Sequence, residues 1–169
     1  MQTVLAGFAS IVDMSRKVIF ISLLIVLSTA PGLAQRNPTP AVQRDPVMEA
    51  DAKHNLDVAK QAFTPLKQAY KQVLLRFDET FAAYPEFSKM DEFLYIAGLS
   101  SFYLSENKGK QKVDPKSKRD QERFAHERLL IDAKAFLSML IDKYPQSKFV
   151  EDAKKALKDI EESEAKGTN

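Results

Sequence analysis

The stretch AYKQVLLRFDETFAAYP, residues 69–85, carries a helical pattern that ends at a Tyr-Pro pair. A shift of 60 residues places it on LLIDAKAFLSMLIDKYP, residues 129–145, with apolar residues at matching positions and a second Tyr-Pro pair. Proline disfavours the α conformation in the residue before it, so each pair is expected to end a helix. Two copies of one supersecondary unit are the simplest explanation.

The two copies share one spacing of side chains. The first position is small enough to let a neighbouring helix approach, the second is a bulky plug, and the proline lets the next helix fold back. The repeat-defining residues are Val73, Phe77, Thr80, Tyr84 and Pro85 in the first copy and Ala133, Leu137, Leu140, Tyr144 and Pro145 in the second.

Apolar residues at three-and-four spacing predict five helices between the breaks. The expected bounds are 47–63, 66–84, 88–104, 120–144 and 147–165. Asp45 followed by Pro46 is typical of a helix start. The third helix is apolar nearly all the way round, which predicts burial on both sides, and the fifth has one fully polar face, which suits a terminal cap.

This pattern predicts an all-α fold, and five glycines with no tryptophan also disfavour a β-rich one. The spacing resembles the second helix of a tetratricopeptide repeat, whose period is about 34 residues. An insertion at about 105–128 explains the longer period of 60 residues. The predicted domain, residues 47–166, is a tetratricopeptide-like helical repeat with two helix pairs and a C-terminal capping helix.

The N-terminus resembles an export signal. Basic residues precede an apolar run at 18–27, which is shorter than the roughly 20 residues of a membrane-spanning helix. We expect residues 1–34 to be a signal peptide, with 1–13 an over-extended start, and residues 35–46, with three prolines, to be a flexible tether. Retention as an uncleaved anchor is the alternative.

The helix 69–85 and the following FSKMDEFLYIAGLSSFYL, residues 87–104, resemble the BamD-like family of outer-membrane assembly lipoproteins. That resemblance implies an exported, non-enzymatic scaffold in the periplasm or on the periplasmic face of the outer membrane. Its partners would be envelope proteins, either outer-membrane assembly subunits or unfolded outer-membrane proteins. Well-known members carry a lipidated cysteine after the signal; this sequence contains no cysteine, so we expect no lipid.

Other functions stay open at this stage. A periplasmic accessory repeat protein for cell-wall or secretion machinery is the alternative within binding proteins. A small helical enzyme is the alternative from another class. Two and a half repeats lie near the lower limit of about three for stability, which makes self-association a further expectation.

In the repeat register, the first helix of each pair lines a concave surface. This predicts a protein-binding groove in which aromatic side chains supply contact area at low entropic cost. The candidate groove residues are His54, Asp57 and Gln61 from the first helix and Glu92, Tyr95, Leu99, Phe102 and Tyr103 from the third. The alternative is that Tyr95, Leu99 and Phe102 are buried against the cap and the insertion.

Catalytic chemistry finds little support in the sequence. The two histidines are His54 and His126, and neither has further ligands at the spacing of a metal site. The adjacent acids at 78–79 and 91–92 point to different sides of a helix, so solvated surface is expected there. We predict no catalytic residue, metal or cofactor.

The segment 107–119 has six basic residues, one acid and no apolar period, which predicts a solvated loop. It lacks interleaved aromatic residues, so nucleic acid is not expected as a partner. Anionic lipid headgroups are a weaker possibility for this basic insertion.

Overall fold

A computed structural model describes residues 44–167 of the 169-residue chain. The expected signal peptide and most of the expected tether lie outside these residues. The described part contains six helices and no strand, which confirms the all-α prediction. The helices are α1 (Pro46–Phe63), α2 (Tyr70–Ala83), α3 (Met90–Ser105), α4 (Lys118–Arg123), α5 (His126–Lys143) and α6 (Val150–Gly167).

The start of α1 follows the predicted cap. The Asp45 carboxylate accepts hydrogen bonds from the backbone N–H groups of Val47 at 2.8 Å and Met48 at 3.3 Å. Pro46 occupies the first turn, where backbone N–H groups have no acceptor within the helix. The N–H that proline lacks therefore costs no hydrogen bond. Asp45 therefore belongs to the ordered helix start and not to a flexible tether.

The second helix begins at Tyr70, later than the expected residue 66, so that boundary was wrong. The intervening residues form a turn in which the N–H groups of Lys67 and Gln68 both bond the Thr64 carbonyl. Gln68 has a φ of 44°, which is incompatible with a continuing right-handed helix.

The two Tyr-Pro corners share one hydrogen-bond pattern. Tyr84 N–H bonds the Thr80 carbonyl at 2.8 Å, and Tyr144 N–H bonds the Leu140 carbonyl at 2.9 Å. After each proline a second bond returns to the tyrosine carbonyl, from Phe87 at 3.3 Å in one corner and from Ser147 at 2.9 Å in the other. The same local geometry thus recurs at both sequence breaks.

The five long helices pack in the order expected for stacked helix pairs. α1 packs on α2, α2 on α3, α3 on α5 and α5 on α6, while α1 and α6 also contact α3. One layer therefore contains α1, α3 and α6, and the other contains α2 and α5. This arrangement is consistent with a tetratricopeptide-like repeat, and it buries the predicted plugs Phe77 and Leu137 almost completely.

The sandwiched character of α3 is confirmed, because most of its residues are buried. Gly98, near its middle, lies where α3 meets α5. A β-carbon there would lie 2.7 Å from Cγ of Leu137, so α5 approaches α3 more closely than any other side chain would permit.

The basic insertion is not simply a solvated loop, and that expectation was wrong. Gly109 is buried against Tyr70, and the Lys110 N–H donates to the Gln68 carbonyl at 3.0 Å. The insertion therefore docks on the turn between α1 and α2. The composition of the insertion did not indicate this contact, because its lysine side chains are exposed and the contact is made by backbone atoms.

The expected helix 120–144 is also divided. α4 ends at Arg123, and Phe124 turns inward to become a buried core residue. Ala125 is extended, with ψ of 141°, before α5 begins. Burial of the Phe124 ring thus outweighs continuation of the helical hydrogen bonds. The third and fifth expected helices begin two to three residues later than predicted, at Met90 and Val150.

Candidate functional site

The candidate groove residues fall into two groups that differ in exposure. On α1, the side chains of His54, Asp57 and Gln61 are exposed. On α3, Glu92 and Tyr95 are half-buried and also reach the surface. We call these five residues the α1–α3 face.

An ion pair connects the two helices of this face. The Lys60 ammonium lies 2.5 Å from a carboxylate oxygen of Glu92. Lys60 is about half exposed, so the pair adds little stability. It shows that side chains of α1 and α3 meet along this face.

Tyr95 marks the apolar end of the α1–α3 face. Its ring stacks on Phe149, with centroids 4.9 Å apart and an interplanar angle of 19°, and the Lys148 ammonium lies 4.9 Å from the centre of the Phe149 ring. Burial raises the pKa of the Tyr95 phenol, and the negative charge of Asp152 adds to that effect. The phenol thus stays protonated and able to donate a hydrogen bond at neutral pH.

The remaining groove candidates do not form an open apolar surface. Leu99 is 9% exposed and Phe102 is 8% exposed, so both belong to the core. Lys108 of the insertion lies over the Phe102 ring at 5.6 Å, as the alternative of burial against the insertion predicts. The expectation of a continuous groove of exposed aromatic residues was therefore wrong for these two positions.

Tyr103 belongs to an aromatic cluster inside the protein. Its ring lies 5.3 Å from Tyr70 and 6.3 Å from Phe63, measured between centroids. Burial raises the pKa of the Tyr70 phenol, and Tyr103 adds to the effect. The cluster joins the ends of α1, α2 and α3, so Tyr103 contributes packing and is not part of the α1–α3 face.

Neither histidine lies in a catalytic arrangement. His54 is exposed on α1, and the Nδ1 atom of His126 lies 3.1 Å from the Ser105 carbonyl oxygen. His126 lines a shallow depression where α3, α5 and α6 meet, next to a hydrogen bond of 3.1 Å from the Ser163 hydroxyl to Glu106. Within residues 44–167, no three histidine, cysteine or acidic side chains are grouped as a metal site requires.

The sequence suggested that the adjacent acids are solvated helix surface. In the structure, several of them instead bind side chains from other parts of the chain. Asp78 accepts hydrogen bonds of 3.0 Å from both Nε and Nη2 of Arg123. Asp91 accepts a bond of 2.6 Å from the Ser147 hydroxyl, and Glu92 pairs with Lys60. These contacts join α2 to α4, α3 to the corner before α6, and α1 to α3, so the acids connect separate elements and do not form a carboxylate pair.

Sequence reasoning missed the most connected side chain of the insertion. Arg123 also donates from Nη1 to Asp132 at 2.7 Å, and Asp132 is 8% exposed. Arg123 thereby connects α4 to both α2 and α5. Burial raises the pKa of Asp78, and Arg123 opposes that rise. The sequence signal was weak, since these partners are 45 and 9 residues apart.

No helix within the described range is both long and apolar enough to cross a membrane. The described residues form an all-helical fold that is consistent with a tetratricopeptide-like helical repeat. The family described as YfiO, outer membrane lipoprotein, matches residues 33–167. The chain therefore belongs to the YfiO family of BamD-like outer membrane lipoproteins. No curated protein and no solved structure matches it.

Proposed function

We propose that this chain is a non-enzymatic scaffold that binds envelope proteins through the α1–α3 face and takes part in outer-membrane protein assembly. Family membership supports a place at the outer membrane. The expected export signal supports a location on its periplasmic side. The sequence has no cysteine to carry an N-terminal lipid, so attachment would differ from that of lipidated members.

One observation carries the proposal: neighbouring helices of one layer present polar side chains beside the Tyr95–Phe149 pair. Asp57 and Gln61 are exposed on α1, and Tyr95 is half-buried on α3. An extended or helical peptide lying across both helices would meet hydrogen-bonding groups and an aromatic edge together. Tyrosine is among the residues that dominate binding energy at protein interfaces.

The opposite layer offers a matched control surface. Ala82 on α2 and Ser138 on α5 are exposed and lie away from α1 and α3. A photo-reactive amino acid placed singly at Asp57, Tyr95, Ala82 or Ser138 reports which layer contacts a partner in intact cells. Asp57, Ala82 and Ser138 are exposed, whereas Tyr95 is half-buried against Phe149, so circular dichroism of each variant separates a loss of contact from a loss of folding.

We expect crosslinks from Asp57 and Tyr95 to an outer-membrane assembly protein, and none from Ala82 or Ser138. Crosslinks from the same two positions to cell-wall or secretion components would instead support an accessory role in that machinery. Equal labelling from both layers, or no crosslink from either, would contradict docking through the α1–α3 face.

A further inference from the structure

The turn between α1 and α2 presents an unusual apolar residue. Leu66 is 81% exposed, more than Val47 at 69%, Ile131 at 60% or Leu75 at 47%, the other large exposed hydrophobic side chains among residues 44–167. This leucine lies in a turn rather than on a helix flank, and transfer of its side chain from water to an apolar environment would be favourable.

The turn is held in shape by hydrogen bonds on both sides. The Ala69 N–H bonds the Ala62 carbonyl at 2.9 Å, which closes the turn. From the insertion, the Lys110 ammonium donates to the Leu66 carbonyl at 2.6 Å, and the Lys110 N–H bonds Gln68. Leu66 is therefore displayed by a structured support, and ordering it on binding costs little entropy.

Positive charge is concentrated in the segments that form and support this turn, and the Lys110 ammonium contacts the Leu66 backbone directly. The turn, residues 64–69, and the docked part of the insertion, residues 107–113, contain no acidic residue. They carry four exposed lysines, Lys67, Lys108, Lys110 and Lys112. Acids flank the docked segment on both sides, and both have partners: Glu106 accepts a bond of 3.1 Å from the Ser163 hydroxyl, and Asp114 accepts one of 2.8 Å from the Lys116 N–H. The chain as a whole has a net charge of only +2, so the charge is locally concentrated.

We propose that this region, which we call the Leu66 tip, contacts an anionic lipid bilayer. Leu66 enters the headgroup and upper acyl region, and the four lysines bind the negative headgroups around it. An exposed aliphatic side chain on a turn supported by a lysine-rich segment matches the two forces of interfacial binding, apolar insertion and attraction to anionic lipid.

Other occupants fit the tip less well. A protein partner would require a groove or a broad apolar patch, but Leu66 is a single projecting side chain among lysines. Single-stranded nucleic acid would require exposed aromatic rings for stacking. In this region Tyr70 is buried, and Tyr103 packs against it. The inference is independent of the proposed partner-binding function, since it uses a different surface.

The absence of cysteine makes a direct test possible, because one introduced cysteine is a unique labelling site. The full chain carrying Leu66→Cys is labelled with a polarity-sensitive fluorophore and mixed with vesicles of phosphatidylglycerol and phosphatidylcholine. Leu75→Cys and Ile131→Cys, at other exposed apolar positions, are the matched controls. The fluorescence reports the polarity around each labelled position. It does so even if another segment of the chain also binds the vesicle.

We expect a blue shift, and quenching by quencher-bearing lipids, for the label at position 66 and not for the controls. Replacing Lys67 and Lys112 with glutamine should reduce the affinity for the vesicles, measured from the fluorescence titration, by about fivefold per lysine. Added salt should also reduce this affinity. A label at 66 that remains in water on anionic vesicles would overturn the proposal. So would equal signals at all three positions, or shielding that requires an added protein.

Discussion

Gly98 and Leu137 are in direct contact where α3 meets α5, and a β-carbon on Gly98 would lie 2.7 Å from Cγ and 2.8 Å from Cδ2 of Leu137. Real side chains do not approach so closely, so the leucine plug occupies the space that the glycine leaves open. Leu137 is one of the repeat-defining residues, and its side chain is fully buried. The repeat-defining leucine of α5 therefore fits against α3 because position 98 of α3 has no side chain.

Gly98→Ala should destabilise the protein even though alanine is the better helix former. Overpacking against Leu137 costs about 1–3 kcal/mol, and the helical preference of alanine returns about 1 kcal/mol. We expect a net loss of up to about 2 kcal/mol in the free energy of unfolding, measured by urea denaturation.

A double-mutant cycle separates the steric effect from the helical one. Leu137→Ala alone should cost about 2–5 kcal/mol through the cavity it creates. In that background Gly98→Ala should become neutral or stabilising, because the clash is gone. Stabilisation of the unmodified protein by Gly98→Ala would contradict the close contact.

Arg123→Gln should lower the stability of the protein by about 1–3 kcal/mol, because the buried Asp132 would keep only Arg128, a largely exposed partner, as its counter-charge. The estimate is below that for a fully buried pair, since Asp78 is 41% exposed. Thermal unfolding followed by circular dichroism measures the change.

Arg76→Gln is the matched control, because it breaks the exposed pair between Arg76 and Glu79 on α2. Exposed pairs contribute about 0–1 kcal/mol, so this variant should unfold close to the unmodified protein. Similar losses in both variants would mean that Arg123 does not anchor α4 to the repeat.

Ser101→Ala should stabilise the protein. The Ser101 residue is fully buried, and its hydroxyl has no hydrogen-bond partner within residues 44–167. Removing an unsatisfied buried hydroxyl recovers part of its desolvation cost, about 1 kcal/mol, and alanine also favours the helix. A drop in melting temperature would show that the hydroxyl is bonded in solution.

The tyrosine of the second corner should make stability sensitive to alkaline pH. Burial raises the pKa of the Tyr144 phenol above its usual 10.0, and the charges of Glu86 and Asp91 add to the rise. The folded state therefore holds this proton more tightly than the unfolded state. Its contribution is fully present below pH 10 and is lost as pH rises through the folded pKa.

Tyr144→Phe removes this contribution while it keeps the ring. Between about pH 9 and pH 11, the melting temperature of the unmodified protein should fall more than that of the phenylalanine variant. Lysine titration affects both proteins equally, so the difference reports the phenol. Parallel curves would contradict a raised pKa.

The repeat pattern predicted the all-helical fold and its corners because both depend on local rules. Periodicity identified the buried plugs Phe77 and Leu137, and proline located the helix ends. Periodicity left two alternatives open for Phe102, exposure in a groove or burial against the cap and the insertion. The fold shows burial, with Lys108 of the docked insertion over the ring, and local sequence rules do not describe a contact between such distant segments.

The candidate site was predicted only in part for the same reason. His54, Asp57 and Gln61 are exposed as the register requires, because α1 has no earlier helix pair in residues 44–167 to cover them. Arg123 was missed because its structural role depends on carboxylates that two other helices supply. Periodicity specifies which side of a helix is buried, but not which distant side chains meet there.

The most direct test of the central claim uses the partner protein that crosslinking identifies, purified on its own. Its affinity is measured for two double variants of this chain. Asp57→Ala with Tyr95→Ala alters the α1–α3 face, and Leu75→Ser with Ser138→Ala alters the opposite layer. If the face is the docking surface, the first variant binds at least tenfold more weakly and the second binds as the unmodified protein does. Equal affinity of both variants, with both correctly folded, would contradict the account.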